Sequence, residues 1–473
     1  MRATLIIGAG PGGTGPLIWA AQNGALAAWL ASGVTVIEGG AVMGGTLGRY
    51  IINSDSLGGV YLECLGSRQA REIFAPVIAD PVCREVERMR RGFPPLALVD
   101  RYLRRVGSVL EQVVTQSPGG EFIPETTVRA LRYRPDNSLI AEIASANGRC
   151  SQIDARTVIL ALGGRQRNMA FFHGQLMPGM RLADLPADKM VSSNLLMTAD
   201  GRQRAAAIIA RARSPRVVIL GGSHSAYSAA WLLTHLMPEL TFGTGDIRIL
   251  GRRQPPIFYE NQAAAEADDY PITMADICPR TQRVHRLGGL RGDGREMWRS
   301  LTGRPGCIPE ERVRLVSLND PALSPAALTR ELNDAALIVP AFGYQARTVP
   351  VFDARGRRLR LSADQGRPAV GPDSRLLRED GQPLANLFCI GLGTGYRPSG
   401  SMGGEPSFAG QANSLWLYQN DIGGVIHQGV QRSLAEAPRA RSVGSRPRPV
   451  ASAATSFAKN DAKPRRLPFR WAH

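Results

Sequence analysis

The run Thr4-Leu-Ile-Ile-Gly8-Ala-Gly10-Pro-Gly12-Gly13 constrains this chain more than any other feature. It is a short β run that stops at a GxGxxG turn made by Gly8, Gly10 and Gly13. Apolar residues at Leu17, Trp19, Ala20, Ala27 and Leu30 predict a helix behind it, and Val34-Thr-Val-Ile-Glu38 predicts a second strand ending in an acid. Strand, glycine turn, helix, strand and acid in this order form a dinucleotide-binding unit. Gly8 permits the tight turn, Gly10 lets the backbone approach a pyrophosphate, and Gly13 lets helix and strand pack closely. The helix then aims its N-terminal amides and positive dipole end at the phosphates. Glu38 is placed to accept hydrogen bonds from a ribose diol.

A second unit follows two hundred residues later. Arg216-Val-Val-Ile-Leu220 predicts a strand that runs into Gly221-Gly-Ser223-His224-Ser225-Ala226. A helix from Tyr227 to about Met237 and the strand Asp246-Ile-Arg-Ile-Leu250 come next. The glycine pattern is relaxed to GxSxxA, and the second strand ends in Gly251-Arg252-Arg253 instead of an acid. An acid there repels a 2′-phosphate and two arginines attract one, so this unit favours NADP(H) over NAD(H). Between the units, residues 122–160 read as hairpin-rich, the last run entering Gly163-Gly164. Ala336-Leu-Ile-Val-Pro340 enters Ala341-Phe-Gly343-Tyr344, and both glycine stops suit chain crossings between domains. A strand at Leu387-Phe-Cys-Ile390 leads into a glycine-rich stretch that includes Gly391, Gly393 and Gly404. A helix over about 411–430 closes the fold.

Charge and cysteine content narrow the function classes. The formal charge is +17 over 473 residues, but residues 437–473 hold nine basic residues and one acid. That segment is Pro-, Ser- and Ala-rich without apolar periodicity, so it reads as a flexible basic tail, with no specific nucleic-acid partner. Six scattered cysteines show no CxxC spacing, which argues against a zinc site, a disulfide framework or a redox pair. No metal is expected. No apolar run approaches the ~20 residues of a membrane span, and the first residues read as a strand instead of a cleavable leader. The expectation is a soluble, cytoplasmic protein with no membrane partner.

Two dinucleotide units, one acidic-ended and one basic-ended, resemble the two-dinucleotide-domain flavoproteins. The details look most like the NADPH-dependent single-component flavin monooxygenases: N-hydroxylases, flavin-containing monooxygenases and Baeyer–Villiger enzymes. Gly44-Gly45-Thr46-Leu47-Gly48-Arg49-Tyr50 is similar to their GGTW…RYPG stretch, with Leu47 in place of tryptophan and Ile51 in place of proline. Ala341-Phe-Gly343-Tyr344 is similar to ATGY, and Gly222-Ser-His-Ser-Ala226 to the GGQSA form of the NADPH motif. An FxGxxxHxxxW run is absent; Phe171-Phe-His173-Gly174 has only part of it.

The resemblance implies an α/β fold with two Rossmann-like domains and three-layer β/β/α features. Residues 1–165 and 346–431 would bind FAD, residues 205–345 would bind NADPH and carry a substrate-roof insertion, and 432–473 would be tail. It implies oxygen transfer from a C4a-(hydro)peroxyflavin to the nitrogen or sulfur of a small molecule, with O2 as co-substrate; a homo-oligomer is compatible with it. The alternatives are an NADPH-dependent flavin reductase or dehydrogenase using another electron acceptor, or a non-catalytic cofactor-binding protein. The isoalloxazine is implied near the loop carrying Arg49, Asn53 and Asp55, the candidate catalytic residues, although residues 53–56 also suit a turn or helix cap. The candidate cofactor contacts are Gly8, Gly10, Gly12, Gly13, Glu38, Gly45, Thr46, Gly163, Gly221, Ser223, His224, Ser225, Arg252, Arg253, Gly343, Gly391, Gly393, Gly404 and Glu405. Glu405 also suits an ordinary N-terminal helix acid. Relatives often carry an acid after the last strand that contacts the ribityl chain. Here Gly391-Leu-Gly-Thr394 stands there, so amides of residues 391–395 or 403–405 are expected to serve instead. The roof, residues 254–300, shows no clear period, and no substrate residue is singled out in it.

Overall fold

Strand Arg2–Ile7 is the centre from which the rest is arranged. The computed structural model describes residues 1–166, 175–177, 180–181, 185–398 and 402–436. Arg2–Ile7 pairs in parallel with Val34–Ile37 on one side and with Cys150–Leu160 on the other. Gly120–Ile123 and Pro383–Cys389 extend this parallel layer at its two ends. Leu5, Ile6, Val34, Val158 and Leu387 are fully buried, as expected of parallel strands covered on both faces. Cys150–Leu160 belongs to two layers. Its C-terminal half joins the parallel sheet, while its N-terminal half pairs antiparallel with Leu139–Ser145, which pairs in turn with Thr126–Tyr133. The expected hairpins are thus a second β layer, but Gly120–Ile123 belongs to the parallel sheet.

The second sheet has four parallel strands in the order Val313–Ser317, Ile247–Gly251, Val217–Leu220, Leu337–Pro340. The chain crosses between the sheets at Gly164–Gln166 and Tyr344–Ala346, which pair antiparallel with each other. Both glycine stops read from the sequence therefore lie at one double crossing, and the fold is α/β with two Rossmann-like sheets. The insertion after the second unit packs onto this sheet through Ile257, Tyr259, Val284, Leu290 and Trp298.

Several element boundaries differ from the sequence reading. The first helix stops at Gln22, because Gly24 turns the chain at φ +69°, and a separate helix spans Leu26–Ala31. The closing helix is two helices, Leu415–Gln419 and Asp421–Glu436, broken at Asn420. The second reaches past residue 432 and packs Leu434 against the core, so the helix extends into what was expected to be tail. The rest of the expected tail, and the Phe171–Gly174 segment of the sequence (171–174), lie outside the described residues. The helix Leu96–Gln116 was not read from the sequence. It buries Val99, Tyr102, Val106 and Leu110, a single apolar stripe at helical spacing. Among the described residues, no helix is long and apolar enough to cross a membrane.

Candidate active site

The first glycine turn is shaped by contacts that leave no room for side chains. A carbon added at Gly8, at φ +97°, would lie 2.4 Å from the Ala161 carbonyl oxygen, and one added at Gly13 would lie 1.8 Å from the Gly8 oxygen. Gly10 differs: an added carbon would meet only the Gly45 Cα, at 3.8 Å. Gly8 and Gly13 are therefore glycine for packing, whereas Gly10 borders open space. A carbon added at Gly12 would lie 3.4 Å from the Gly391 Cα, and one added at Gly45 would lie 2.9 Å from the Pro11 ring. Thr46 is exposed beside them. No side chain caps the helix Pro11–Gln22, so its N-terminal amides remain for an anion. The Glu38 carboxylate accepts from the Ala9 amide at 2.6 Å and the Gly40 amide at 2.9 Å, which ties the end of the second strand to the turn. These backbones and the uncapped helix fit a dinucleotide such as FAD.

Gly163 and Gly343 both have positive φ and nothing within 4 Å of an added carbon, so they also border open space. Gly393 is different, pressed against the Gln345 backbone at the crossing. Gly404 and Glu405 require a correction, because both are engaged with the roof. The Gly404 amide donates to the Cys278 sulfur at 3.3 Å. Glu405, only 4% exposed, accepts from the Leu287 and Gly288 amides at 3.1 and 3.0 Å. Of the amides expected to stand in for the missing ribityl acid, that of Gly404 is therefore already taken up by Cys278. Burial pushes the Cys278 thiol up, but hydrogen bonds, those of the Gly404 amide and Arg286 among them, outweigh this and bring it to about 7.

The second turn repeats the first with different residues. A carbon added at Gly221, at φ +140°, would lie 2.5 Å from the Ala341 oxygen. The helix His224–His235 starts at Ser223 with no side-chain cap, so neither Ser223 nor Ser225 takes up its amides. Arg252 and Arg253 are exposed at the end of the strand Ile247–Gly251. The Asn319 side chain holds the Arg252 carbonyl at 2.7 Å, and the Arg252 guanidinium reaches the Leu176 carbonyl at 3.5 Å. An uncapped helix tip with two guanidinium groups at the adjoining strand end fits NADPH.

The two units meet over the loop at residues 49–56. Asn53 donates to the Asp293 carboxylate at 3.1 Å, where the helix Gly292–Leu301 of the roof begins. Ser54 uses its hydroxyl on Ser56 and Tyr61, so it makes the turn while the exposed Asp55 is left facing outward. Asp55 lies within electrostatic reach of His224 and of Arg291. His224 contacts the Gly289 carbonyl at 3.0 Å; burial holds its ring below the usual histidine range, with Asp55 partly opposing this. Arg49 donates to the Tyr50 hydroxyl, and both Tyr50 and Tyr344 donate to Asn194, at 2.7 and 3.0 Å. Asn194, Asp293 and Arg291 were not foreseen. Only a count of arginines in the otherwise aperiodic roof would have pointed to the last.

No family model matches the chain. It is 33% identical over 429 residues to the CMP-5′-(3-aminopropyl)phosphonate hydroxylase of Streptomyces rubellomurinus, covering 90% of this chain and 96% of that protein. Solved structures similar to it include L-lysine 6-monooxygenase from Pseudomonas syringae, at 15% identity and TM-score 0.49, covering 92% of this chain and 100% of that one. Ornithine hydroxylase from Pseudomonas aeruginosa is similar at 14% identity and TM-score 0.49, covering 91% and 100%. The length and level of the first match identify this chain, with one crevice fit for FAD and another fit for NADPH, as a member of the family of the Streptomyces CMP-5′-(3-aminopropyl)phosphonate hydroxylase.

Proposed function

We propose that the protein hydroxylates the amine nitrogen of a small molecule, with FAD in the first crevice and NADPH in the second. Residues 1–165 and 346–431 would serve FAD, and residues 205–345 would serve NADPH and roof the substrate. The observation that carries this reading is the meeting of Asn53 and Asp55, from the first unit, with His224 and the Gly292–Leu301 helix tip from the second. Hydroxylation of an amine with NADPH needs both cofactors to address one small volume, and this is where the two units converge. The Streptomyces relative, a hydroxylase of an aminopropyl compound, favours nitrogen over sulfur.

FAD, when bound, supplies the oxygen-activating chemistry. The protein must hold the amine and keep water out. Asp55 is the open carboxylate of the loop and accepts a hydrogen bond from the amine. Asn53, held by Asp293, presents a fixed amide, and neutral His224 is oriented by the Gly289 carbonyl. Arg49 fixes Tyr50 at the crossing. NADPH supply suits the cytoplasm as the working compartment.

The test uses FAD-loaded protein, NADPH and a panel of small amines. The expected result is O2 uptake coupled to NADPH oxidation, with a product heavier by one oxygen. Rapid reduction of artificial acceptors with no oxygenated product from any amine would overturn the reading in favour of a reductase.

A further inference from the structure

Three arginines crowd one loop of the roof, Arg283-Val-His-Arg286-Leu-Gly-Gly-Leu-Arg291. Arg286 is only 7% exposed; it donates to the Met402 carbonyl at 3.1 Å, contacts the Cys278 sulfur at 3.8 Å, and lies over the Trp416 ring at 4.8 Å. Arg291 is half-buried over the Phe258 ring at 4.2 Å, donates to the Arg286 carbonyl, and keeps a buried Nε without a partner. Arg283 is exposed beside them, and the charges of Arg283 and Arg286 act against that of Arg291. Neighbouring arginines of the roof are neutralised: Arg280 pairs with Asp421, and Arg299 with Asp268 and Glu296. Among the described residues, no carboxylate pairs with Arg283, Arg286 or Arg291. Asp55 and Glu405 act on Arg291, and Glu63 on Arg283 and Arg286, only as through-space charges, and Glu405 is committed to the loop's own amides.

Burying unpaired guanidinium groups is costly, and clustering them adds repulsion. The loop nonetheless holds them in place. Glu405 fixes its middle, the Gly289 carbonyl fixes it to His224 in the second glycine turn, and Arg291 leads into the helix tip that Asn53 contacts. Aromatic faces cover Arg286 and Arg291, which leaves guanidinium edges for the in-plane hydrogen bonds that phosphorus oxyanions accept. We propose that the 283–291 loop is the subsite for an anionic group of the substrate, a phosphonate or phosphate ester, with the amine directed toward Asp55. The proposal rests on the reading of the chain as an amine hydroxylase and names its substrate class, an amine bearing a phosphorus oxyanion.

The test titrates FAD-loaded protein with methylphosphonate and with CMP by calorimetry, in the wild type and in Arg283→Gln and Arg291→Gln. One or both anions are expected to bind the wild type, and each variant to bind about tenfold more weakly or worse. Which anion binds separates phosphonate from phosphate ester. The KM for NADPH, read from uncoupled NADPH oxidation, is expected to stay within about twofold in Arg283→Gln. Unchanged anion binding in the variants, no binding of either anion, or a KM for NADPH rising in step would overturn the subsite; the last would assign the loop to the coenzyme's phosphates. Arg283 is exposed, so Arg283→Gln decides the matter if Arg291→Gln does not fold. Calorimetric binding is independent of turnover. Absence of oxygenated product therefore sinks the hydroxylase reading alone, and unaltered binding sinks the subsite alone.

Discussion

Gly10 and Gly13 show how one motif mixes two physical requirements. A carbon at Gly13 would collide with the Gly8 carbonyl oxygen, so the helix would have to lift from the strand. Gly13→Ala is therefore expected to cost about 3 kcal/mol or more and to give little folded protein. Gly10 has extended backbone, at φ −73°, and an added carbon there meets nothing closer than 3.8 Å. Gly10→Ala should fold with a melting temperature near that of the FAD-free parent, yet bind FAD at least about tenfold more weakly. Equal FAD affinity in Gly10→Ala would show that no phosphate approaches this turn. The same scale decides coenzyme choice. Replacing Arg252 and Arg253 together by alanine is expected to raise the KM for NADPH about tenfold or more and leave that for NADH nearly unchanged. Equal effects on the two coenzymes would remove the 2′-phosphate assignment.

At the scale of elements, the roof is set by what holds it. Its buried anchor is Glu405, whose carboxylate accepts from the Leu287 and Gly288 amides while Gly404, at φ +125°, lets the backbone pass the Leu287 side chain. Glu405→Ala leaves these amides without their acceptor and is expected to cost about 2 kcal/mol, read as a lower melting temperature. It should also weaken methylphosphonate binding while FAD absorbance is retained. An unchanged melting temperature would mean that the loop has another anchor. The sequence placed Glu405 beside the cofactor because glycines before a helix commonly mark a close backbone approach. Here the approach is real, but its object is the protein's own loop. Elements with a clear period or turn signal, such as Val217–Leu220 and the strand Arg2–Ile7 that enters the first glycine turn, were legible within a residue or two. The roof was not, because bridges such as Ile257 with Leu290 join residues far apart in sequence and leave no local period.

At the scale of the whole molecule, acid stability follows from buried histidines. His224, His235, His285 and His427 are all held below the ordinary histidine value of about 6.5, with burial the largest cause in each. The unfolded chain therefore binds more protons than the folded one as pH falls below about 6.5. The stability from these neutral rings is full above that pH and is lost as the solution is acidified. Melting temperature is expected to drop from pH 7 to pH 5, and His427→Phe should flatten the drop. A melting temperature constant over this range would show that these rings titrate normally.

The sequence by itself determined the two nucleotide crevices, because a glycine turn needs only its neighbours: strand, helix tip and the residue ending the next strand all lie within about forty positions. It also determined the contrast between Glu38 and the Arg252–Arg253 pair (252–253), since charge at a strand end acts wherever the strand goes. Only the tertiary structure decided which groups those crevices face. Asn53 meets Asp293 across 240 positions, and Glu405 holds the roof across 118. Contacts between such distant residues follow from the packing of whole sheets and carry no local signature, so the active volume came into view only once both units were folded against one another.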